Sequence, residues 1–135
     1  TTTAAPAVLS GVQVVGYVDK CLYAAANTAG QQLAIRTCDS KVASQRWQIY
    51  TDGTIRQDKL CMDLANGSSA NGTRIQLAAC NGNAAQQFLI NSSYDMVNTV
   101  YGKCADVIDG NTANGAKVQL WDCNGAGHQK WMIRG

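Results

Sequence analysis

Short stretches of alternating apolar and polar residues recur along the chain, and three of them occupy matching places, at residues 32–36, 74–77 and 117–121. Alternation with a period of two is typical of strands that bury one face. Each stretch follows a segment containing Asn and Gly, which favour turns, and each is followed within three residues by a cysteine. No stretch shows the periodicity of a long amphipathic helix. The pattern predicts an all-β chain.

The three stretches belong to a threefold internal repeat with a period of about 40 residues. Each copy contains two cysteines and closes with a Gln-x-aromatic signature, whose aromatic residues are Trp47, Phe88 and Trp131. Three such units bury their apolar faces without dedicated caps only when they close around an axis. The repeat therefore favours a closed trefoil over a linear solenoid.

A chain of 135 residues has the size of one domain. We expect a single domain at residues 12–135, with an α repeat at about 12–50, a β repeat at about 51–92 and a γ repeat at about 93–135. Residues 1–11 are rich in Thr and Ala and contain the one proline. They look like a linker between secreted modules, and a plain disordered terminus is the alternative.

Six cysteines among 135 residues favour an oxidising, extracellular compartment, and we expect the protein to be secreted. The repeat selects one pairing of the 15 that six cysteines allow: Cys21–Cys38, Cys61–Cys80 and Cys104–Cys123. Each loop is expected to contribute about 3 kcal/mol. Zinc is the alternative, but no Cys-x-x-Cys pair is present and His128 is the single histidine. We expect no metal and no cofactor.

The net charge is +2, and charged residues make up 15% of the chain without forming a basic run. This distribution does not favour nucleic-acid binding. No apolar run approaches the roughly 20 residues that cross a bilayer, so we expect no membrane insertion. A surface rich in Asn, Gln, Ser and Thr suits a neutral, hydroxyl-rich ligand, and we expect a monomer.

The paired cysteines, the Gln-x-Trp endings and residues 118–124 together resemble the ricin B-type β-trefoil lectins, which include the family 13 carbohydrate-binding modules. The resemblance covers about residues 12–134. It implies a β-trefoil with pseudo-threefold symmetry and up to three shallow sugar sites, one in each repeat. In this family a carboxylate follows the first cysteine by two residues, and a ring that covers the sugar precedes the second cysteine by two.

The γ repeat matches this pattern in full. The resemblance implies a carbohydrate site formed by Asp106, Trp121, Asn124, His128 and Gln129. The structural alternative is that Asp106 caps a turn and Trp121 packs in the core. Trp131 is predicted to be a core residue. A catalytic role for His128 is not favoured, because no nucleophile motif or second base accompanies it.

The β repeat keeps only part of this pattern. It retains Asp63, Asn81 and Gln86, which imply a weaker carbohydrate site. Ala78 replaces the aromatic platform and Ala85 stands at the position of His128. Tyr94 is the ring that we consider as a substitute platform.

The α repeat has lost both key residues, since Tyr23 replaces the carboxylate and Arg36 replaces the platform. We expect it to be a structural lobe. Binding of an acidic sugar by Arg36 and Tyr23 is the alternative.

The sequence as a whole predicts a non-catalytic carbohydrate-binding module that targets a secreted glycoside hydrolase to its polysaccharide. Galactose-type, xylan and β-glucan or mannan ligands remain open. The alternatives are a free-standing lectin for cell-surface glycans, a protein-interaction or inhibitor trefoil and, last, an enzyme in its own right. The module interpretation implies an attached catalytic domain as partner.

Overall fold

The computed structural model describes residues 7–135. They form twelve short strands, four in each repeat. The first repeat contains β1 (Ala7–Val15), β2 (Lys20–Ala24), β3 (Leu33–Thr37) and β4 (Trp47–Tyr50). The second contains β5 (Ile55–Gln57), β6 (Leu60–Leu64), β7 (Ile75–Ala79) and β8 (Phe88–Ile90). The third contains β9 (Met96–Asn98), β10 (Lys103–Val107), β11 (Ala116–Trp121) and β12 (Met132–Arg134).

Six single turns of 3₁₀ helix connect these strands, two in each repeat. They are Tyr17–Asp19, Ala43–Gln45, Ala65–Gly67, Ala84–Gln86, Ile108–Gly110 and Gly127–Gln129. Within residues 7–135 no helix combines the length and the apolar content needed to cross a bilayer.

Six strands close into a barrel. Pairing joins β12 to β1, β1 to β4, β4 to β5 and β8 to β9. A hydrogen bond from the Phe88 N–H to the Gly53 carbonyl, 2.9 Å long, joins β8 to the start of β5. A bridge between Asp95 and Lys130 joins β9 to β12. The ring of strands therefore leaves no open sheet edge in the barrel.

The hairpins β2–β3, β6–β7 and β10–β11 form a three-lobed cap at one end of the barrel. Three glycines with φ near +90° tie each hairpin to the next: Gly30 donates to the Leu77 carbonyl, Gly72 to that of Leu120 and Gly115 to that of Ile35. These glycines lie in or beside the predicted turns, and their left-handed backbone is one that L side chains rarely adopt. The predicted β-trefoil with pseudo-threefold symmetry is thus confirmed.

The core also follows the repeat. Ile35, Leu77 and Leu120 occupy equivalent strand positions and are completely buried. Trp47, Phe88 and Trp131 are buried beneath them as the closing aromatics of the three signatures, as predicted for Trp131. The indoles of Trp47 and Trp131 donate to the carbonyls of Leu22 and Ala105, so their polar atoms are satisfied inside the core.

The three predicted disulfides, Cys21–Cys38, Cys61–Cys80 and Cys104–Cys123, are all present and each lies within one repeat. Residues 7–11, which the sequence predicts to be part of the linker-like segment, belong to β1, and this strand pairs with β4. Residues 1–6 lie outside the described part of the chain.

Candidate functional site

The β10–β11 hairpin determines which side chains of the γ repeat face outward. Along β11 the buried residues alternate with more exposed ones, so Gln119 and Trp121 share the outer face. The hairpin register pairs Asp106 with Gln119 and Cys104 with Trp121. Trp121 therefore lies diagonally across the hairpin from Asp106, two register positions along, and both side chains are on the same face.

Three side chains hold the Asp106 carboxylate. The Gln119 amide donates from Nε2 to Oδ1 at 3.2 Å, and the Gln129 amide donates from Nε2 to Oδ2 at 2.9 Å. The Nε2 atom of His128 lies 3.3 Å from Oδ2. Asp106 is only 3% exposed, and hydrogen bonds to a carboxylate are stronger than neutral ones. The acceptor is thus fixed in orientation before any ligand arrives.

The sequence predicts that Gln129 contacts the sugar, whereas the structure buries it beneath the pocket. It is completely buried, its Oε1 accepts from the Asn124 N–H, and its Nε2 donates to the Asp122 carbonyl and to Asp106. Both amide hydrogens are therefore used within the protein. Gln129 lies beneath the site and orients Asp106, and it has no donor left for direct contact with a sugar.

Trp121 remains 40% exposed, whereas Trp131 is 1% exposed. The two tryptophans of the γ repeat thus have opposite environments. The structural alternative, in which Trp121 packs in the core, does not hold. An exposed indole beside a fixed carboxylate provides an apolar face with polar groups at its edge.

Asp106 and Trp121 line one shallow pocket of about 250 Å³. Its walls are formed by Asp106, Ile108, Asp109, Gln119, Trp121, Asn124 and His128. Four of the five residues predicted for the γ site therefore meet in one pocket. We refer to it as the γ pocket.

The sequence prediction did not include Asp109 in the site. Asp109 is exposed and has φ +57° in the 3₁₀ turn after β10, and Asn66 has φ +59° at the equivalent position of the β repeat. Asp and Asn tolerate this left-handed backbone better than most residues. An Asp or Asn five residues after the first cysteine of a repeat was the available signal.

Asn124 and His128 also line the γ pocket. The Asn124 Oδ1 accepts from the Ala126 N–H at 2.9 Å, and its Nδ2 takes no part in that turn. The His128 ring packs edge-on against Tyr17 of the α repeat, with 5.8 Å between the ring centroids. Both side chains are thus held in place by neighbours outside the pocket.

The β repeat retains the carboxylate and its amide partner but has no counterpart of the Trp121 ring or of the His128 imidazole. Asp63 is largely buried and accepts from Gln76 Nε2 at 3.0 Å. Gln86 is completely buried and bonds the Asn81 N–H and the Ala79 carbonyl, as Gln129 does in its own repeat. Ala78 lies opposite Cys61, in the place that Trp121 occupies opposite Cys104.

Tyr94 does not replace the missing platform of the β repeat. It lies beside the signature of the γ repeat, where its carbonyl accepts from the Trp131 N–H at 2.7 Å. At the equivalent position beside Phe88 the chain has Gly53. The ring of Tyr94 lines a groove with Tyr17 and Lys130 instead.

In the α repeat, the side chains that replace the carboxylate and the platform contact each other. The Arg36 guanidinium lies 5.4 Å from the centroid of the Tyr23 ring, a cation–π arrangement. Tyr23 pairs with Ala34, which has no amide to donate, and Ser44 stands at the position of His128. The carboxylate and amide pair of the other repeats is therefore missing here.

Asp63 and Asp106 stand in separate repeats. Among residues 7–135 no group of three or more His, Cys, Asp or Glu side chains has the arrangement of a metal site. The γ pocket offers a ligand polar side chains and one exposed ring.

A curated relative and two solved structures are similar to this chain. Volkensin from Adenia volkensii is 36% identical over 87 residues, which cover 63% of this chain and 16% of volkensin. The agglutinin from Abrus precatorius superposes with a TM-score of 0.82 at 21% identity, over 96% of this chain and 48% of the agglutinin. An exo-β-1,3-galactanase from Clostridium thermocellum superposes with a TM-score of 0.83 at 21% identity, over 98% of this chain and 31% of the galactanase.

The two solved structures show the fold. The chain spans about a sixth of the length of volkensin and less than half of either solved chain. The model of the ricin-type β-trefoil lectin domain matches residues 11–131, which include all three disulfides and all three signatures. The chain therefore belongs to the ricin-type β-trefoil lectin domain family, and it is a carbohydrate-binding lectin domain.

Proposed function

We propose that the γ pocket is the main carbohydrate site of this domain and that the domain acts by binding without catalysis. The observation that carries the proposal is the Asp106 carboxylate, held by Gln119 and Gln129 beside the exposed ring of Trp121. A sugar needs an acceptor for its hydroxyls and an apolar face for its C–H groups. These two residues supply both within one pocket.

The remaining groups of the γ pocket fix the orientation of the ligand. Asp106 would accept from adjacent hydroxyls, each bond contributing about 1.5–3 kcal/mol when well formed. Asn124 and His128 line the same pocket and offer further polar partners. Because the pocket is shallow, we expect dissociation constants of about 10 μM to 1 mM, or about −7 to −4 kcal/mol.

The charge of the pocket favours a neutral sugar. Asp106 and Asp109 both line it, and a carboxylate-bearing or sulfated ligand would be repelled by them. Galactose-type ligands, xylan and β-glucan or mannan remain the candidate classes. Similarity to a domain of a galactanase supports testing galactose-type ligands first.

We propose that the domain is secreted and targets an attached glycoside hydrolase to its polysaccharide. Three disulfides agree with an oxidising compartment. The galactanase, in which a domain of this fold covers 31% of the chain, supports the attachment. A weak site is useful in this setting, because tethering raises the local concentration of the enzyme on a polymer.

The β repeat is proposed as a second, weaker site. Asp63 keeps its Gln76 partner, but no ring replaces Trp121 and no imidazole replaces His128. The α repeat is proposed to be inactive toward neutral sugars, because it lacks the carboxylate and the Arg36 guanidinium lies over the Tyr23 ring.

A free-standing lectin is the competing function, and similarity to an agglutinin keeps it in view. The two functions use the same pocket, so they differ in ligand preference. A targeting module is expected to prefer soluble polysaccharides and their oligosaccharides over the branched glycans of cell surfaces. Hydrolysis by the isolated chain would support the enzyme alternative instead.

The deciding experiment is a glycan and polysaccharide panel probed with the wild-type chain, Asp106→Ala and Asp63→Ala. The proposal predicts binding to at least one polysaccharide class, abolished by Asp106→Ala and only weakened by Asp63→Ala. Circular dichroism and thiol titration must show that each sample is folded and fully oxidised. A folded, oxidised wild-type chain that binds no member of the panel would contradict the proposal.

A further inference from the structure

A second concavity, a groove of about 480 Å³, lies at the boundary between the γ and α repeats. It is larger than the γ pocket and shares none of its lining residues. Tyr17, Val18, Tyr94 and Met132 contribute its aromatic and apolar surface. Val18, Tyr94 and Met132 are each at least half exposed, so this surface is accessible to a ligand.

The groove exists because one repeat boundary lacks an amide side chain that the other two have. At the α/β boundary Gln57 donates to the Ser44 carbonyl at 2.8 Å, and at the β/γ boundary Asn98 donates to the Ala84 carbonyl at 2.9 Å. The strand register places Gly16 at the same position of the γ/α boundary. Gly16 has no side chain that could donate to the 3₁₀ turn beginning at Gly127, and the ring of Tyr17 packs against that turn instead.

Trp131 explains why this position is a glycine. A Cβ on Gly16 would lie 2.5 Å from two ring atoms of Trp131, which is far closer than carbon atoms pack. Trp131 therefore fills the inner part of the boundary and leaves the outer part open. Met132, the next residue, lines the opening and is 53% exposed.

The groove adjoins the γ pocket across a single wall. His128 lines the γ pocket, and its neighbour Gly127 lines the groove. Tyr17 lines the groove and packs edge-on against the His128 ring. A chain of sugar units that leaves the γ pocket over Tyr17 would therefore enter the groove directly.

The turn that carries Tyr17 has a strained backbone. Val18 has φ +50° and Asp19 has φ +58°, and left-handed backbone is rare for a β-branched residue such as valine. Val18 also lines the groove and half of its surface is exposed. Strain of this kind is concentrated at ligand-binding segments.

The charges at the groove favour a neutral occupant over a charged one. The Lys130 ammonium lies 2.9 Å from Asp95 and also donates to the Ser93 carbonyl. The Arg134 guanidinium donates to Gln13 Oε1. Both cations are thus engaged within the protein. The exposed carboxylate of Asp19 also lines the groove and would repel an anionic ligand, and the tyrosine rings with their hydroxyls offer contacts that suit a neutral one.

We propose that this groove is an extension subsite that holds the further units of a neutral polysaccharide whose first unit lies in the γ pocket. The inference rests on the proposed function, because it takes the γ pocket as the primary site. It deepens that function by making the ligand an oligosaccharide chain, whose affinity grows with length. Tyr17 and Tyr94 are the rings that contact the additional units.

The test compares chain lengths by isothermal titration calorimetry. The probes are the monosaccharide and the linear tetrasaccharide of three series: β-1,3-galactan, β-1,4-xylan and β-1,4-mannan. The wild-type chain is expected to bind the tetrasaccharide of at least one series about tenfold or more tightly than its monosaccharide, a gain of about 1.4 kcal/mol. Tyr94→Ala is expected to remove most of that gain and leave monosaccharide binding unchanged.

Two further variants make the test specific. Tyr101→Ala removes another exposed tyrosine that lines neither concavity, and it should retain the full gain with chain length. Met132→Ala truncates a second groove residue at an ordinary strand position, so it serves if Tyr94→Ala, where φ is +66°, fails to fold. It should lose part of the gain.

Equal affinity for monosaccharide and tetrasaccharide in every series would overturn the extension subsite while leaving the γ pocket as a sugar site. So would a gain that survives both Tyr94→Ala and Met132→Ala. Dimerisation in sedimentation experiments that Tyr94→Ala abolishes would also overturn it, because the groove would then hold a second copy of the chain. Absence of binding to all of these sugars, together with absence of binding in the full glycan and polysaccharide panel, would contradict the proposed function itself.

Discussion

Gln129 donates a 2.9 Å hydrogen bond to the Asp106 carboxylate, so a buried residue of the Gln-x-Trp signature orients an acceptor of the γ pocket. Gln45 and Gln86 make the same backbone contacts in their own repeats. The glutamine of the signature therefore bonds the backbone of its own repeat in all three repeats. In the γ repeat it also orients the Asp106 carboxylate.

This difference gives a prediction for the two matched variants Gln129→Ala and Gln86→Ala. Each truncates a completely buried side chain and removes the partner of a part-buried N–H and a part-buried carbonyl, so each is expected to lower the free energy of unfolding by about 1–3 kcal/mol. Only Gln129→Ala is expected to weaken sugar binding at the γ pocket, by about tenfold or more, because Asp106 loses a donor. Urea denaturation and calorimetry measure the two effects. Equal loss of binding in both variants would contradict the assignment.

The two tryptophans of the γ repeat are expected to respond in opposite ways to truncation. Trp121→Ala should abolish detectable sugar binding and change the free energy of unfolding by less than about 1 kcal/mol, since the ring is 40% exposed. Trp131→Ala should cost about 3–5 kcal/mol, because the ring is buried and its indole is hydrogen-bonded. Thermal melting and calorimetry on both variants check this. A stable Trp121→Ala variant that binds sugar normally would remove the ring from the site.

Gly16→Ala is expected to be destabilising despite the small change in volume. The backbone at Gly16 has φ −123°, so the cost comes from the Cβ, which would lie 2.5 Å from the Trp131 ring. Overpacking of this kind costs about 1–3 kcal/mol. Gly125→Ala provides a steric control, because no atom lies within 4 Å of its Cβ position, although its φ of +75° adds backbone strain. The measurement is the denaturation midpoint, and a Gly16→Ala variant as stable as wild type would contradict the close contact.

Asp52 gives a pH-dependent prediction. Burial acts to raise the pKa of Asp52, but hydrogen bonds from the Thr54 hydroxyl and N–H, together with the Arg56 guanidinium, outweigh it and lower the pKa below its ordinary value. A lowered folded-state pKa stabilises the fold above the unfolded-state pKa, and this stability is lost as the pH falls through the folded value. Wild type should therefore exceed Asp52→Asn in stability above about pH 5, and the difference should shrink below about pH 4. Urea denaturation from pH 3 to 7 measures it, and a constant difference would contradict the ionised contact.

Much of the fold could be predicted because the same pattern of residues occurs in all three repeats. The strand stretches, the turn glycines and the disulfides recur at matching positions, so chance patterns could be separated from structural ones. The burial of Trp131 could be predicted from the family resemblance. The same resemblance places Asp106 and Trp121 in one site, and the register of the β10–β11 hairpin brings them together.

The features that escaped prediction depend on contacts between repeats or on local burial. Tyr94 lies beside the γ signature and not at the β site, because its carbonyl accepts from the Trp131 N–H at the other end of the γ repeat. The groove at Gly16 depends on Trp131, a residue 115 positions away. The family resemblance implies a sugar contact for Gln129, which the structure buries beneath the pocket. Its burial depends on hydrogen bonds that its amide oxygen and its amide nitrogen make to the backbone of Asn124 and Asp122, and these contacts are seen only in the structure.

The most direct test of the account is a titration of the ¹⁵N-labelled chain with the best-binding sugar of the panel, followed by NMR. The γ pocket account predicts saturable shifts of the Trp121 indole N–H, of the Gln119 and Gln129 side-chain amides and of the Asn124 amide, with smaller shifts around Asp63. The Trp47 indole and the backbone amide of Arg36 should not move. Shifts confined to the α repeat, or binding that leaves the Trp121 indole unperturbed, would contradict it.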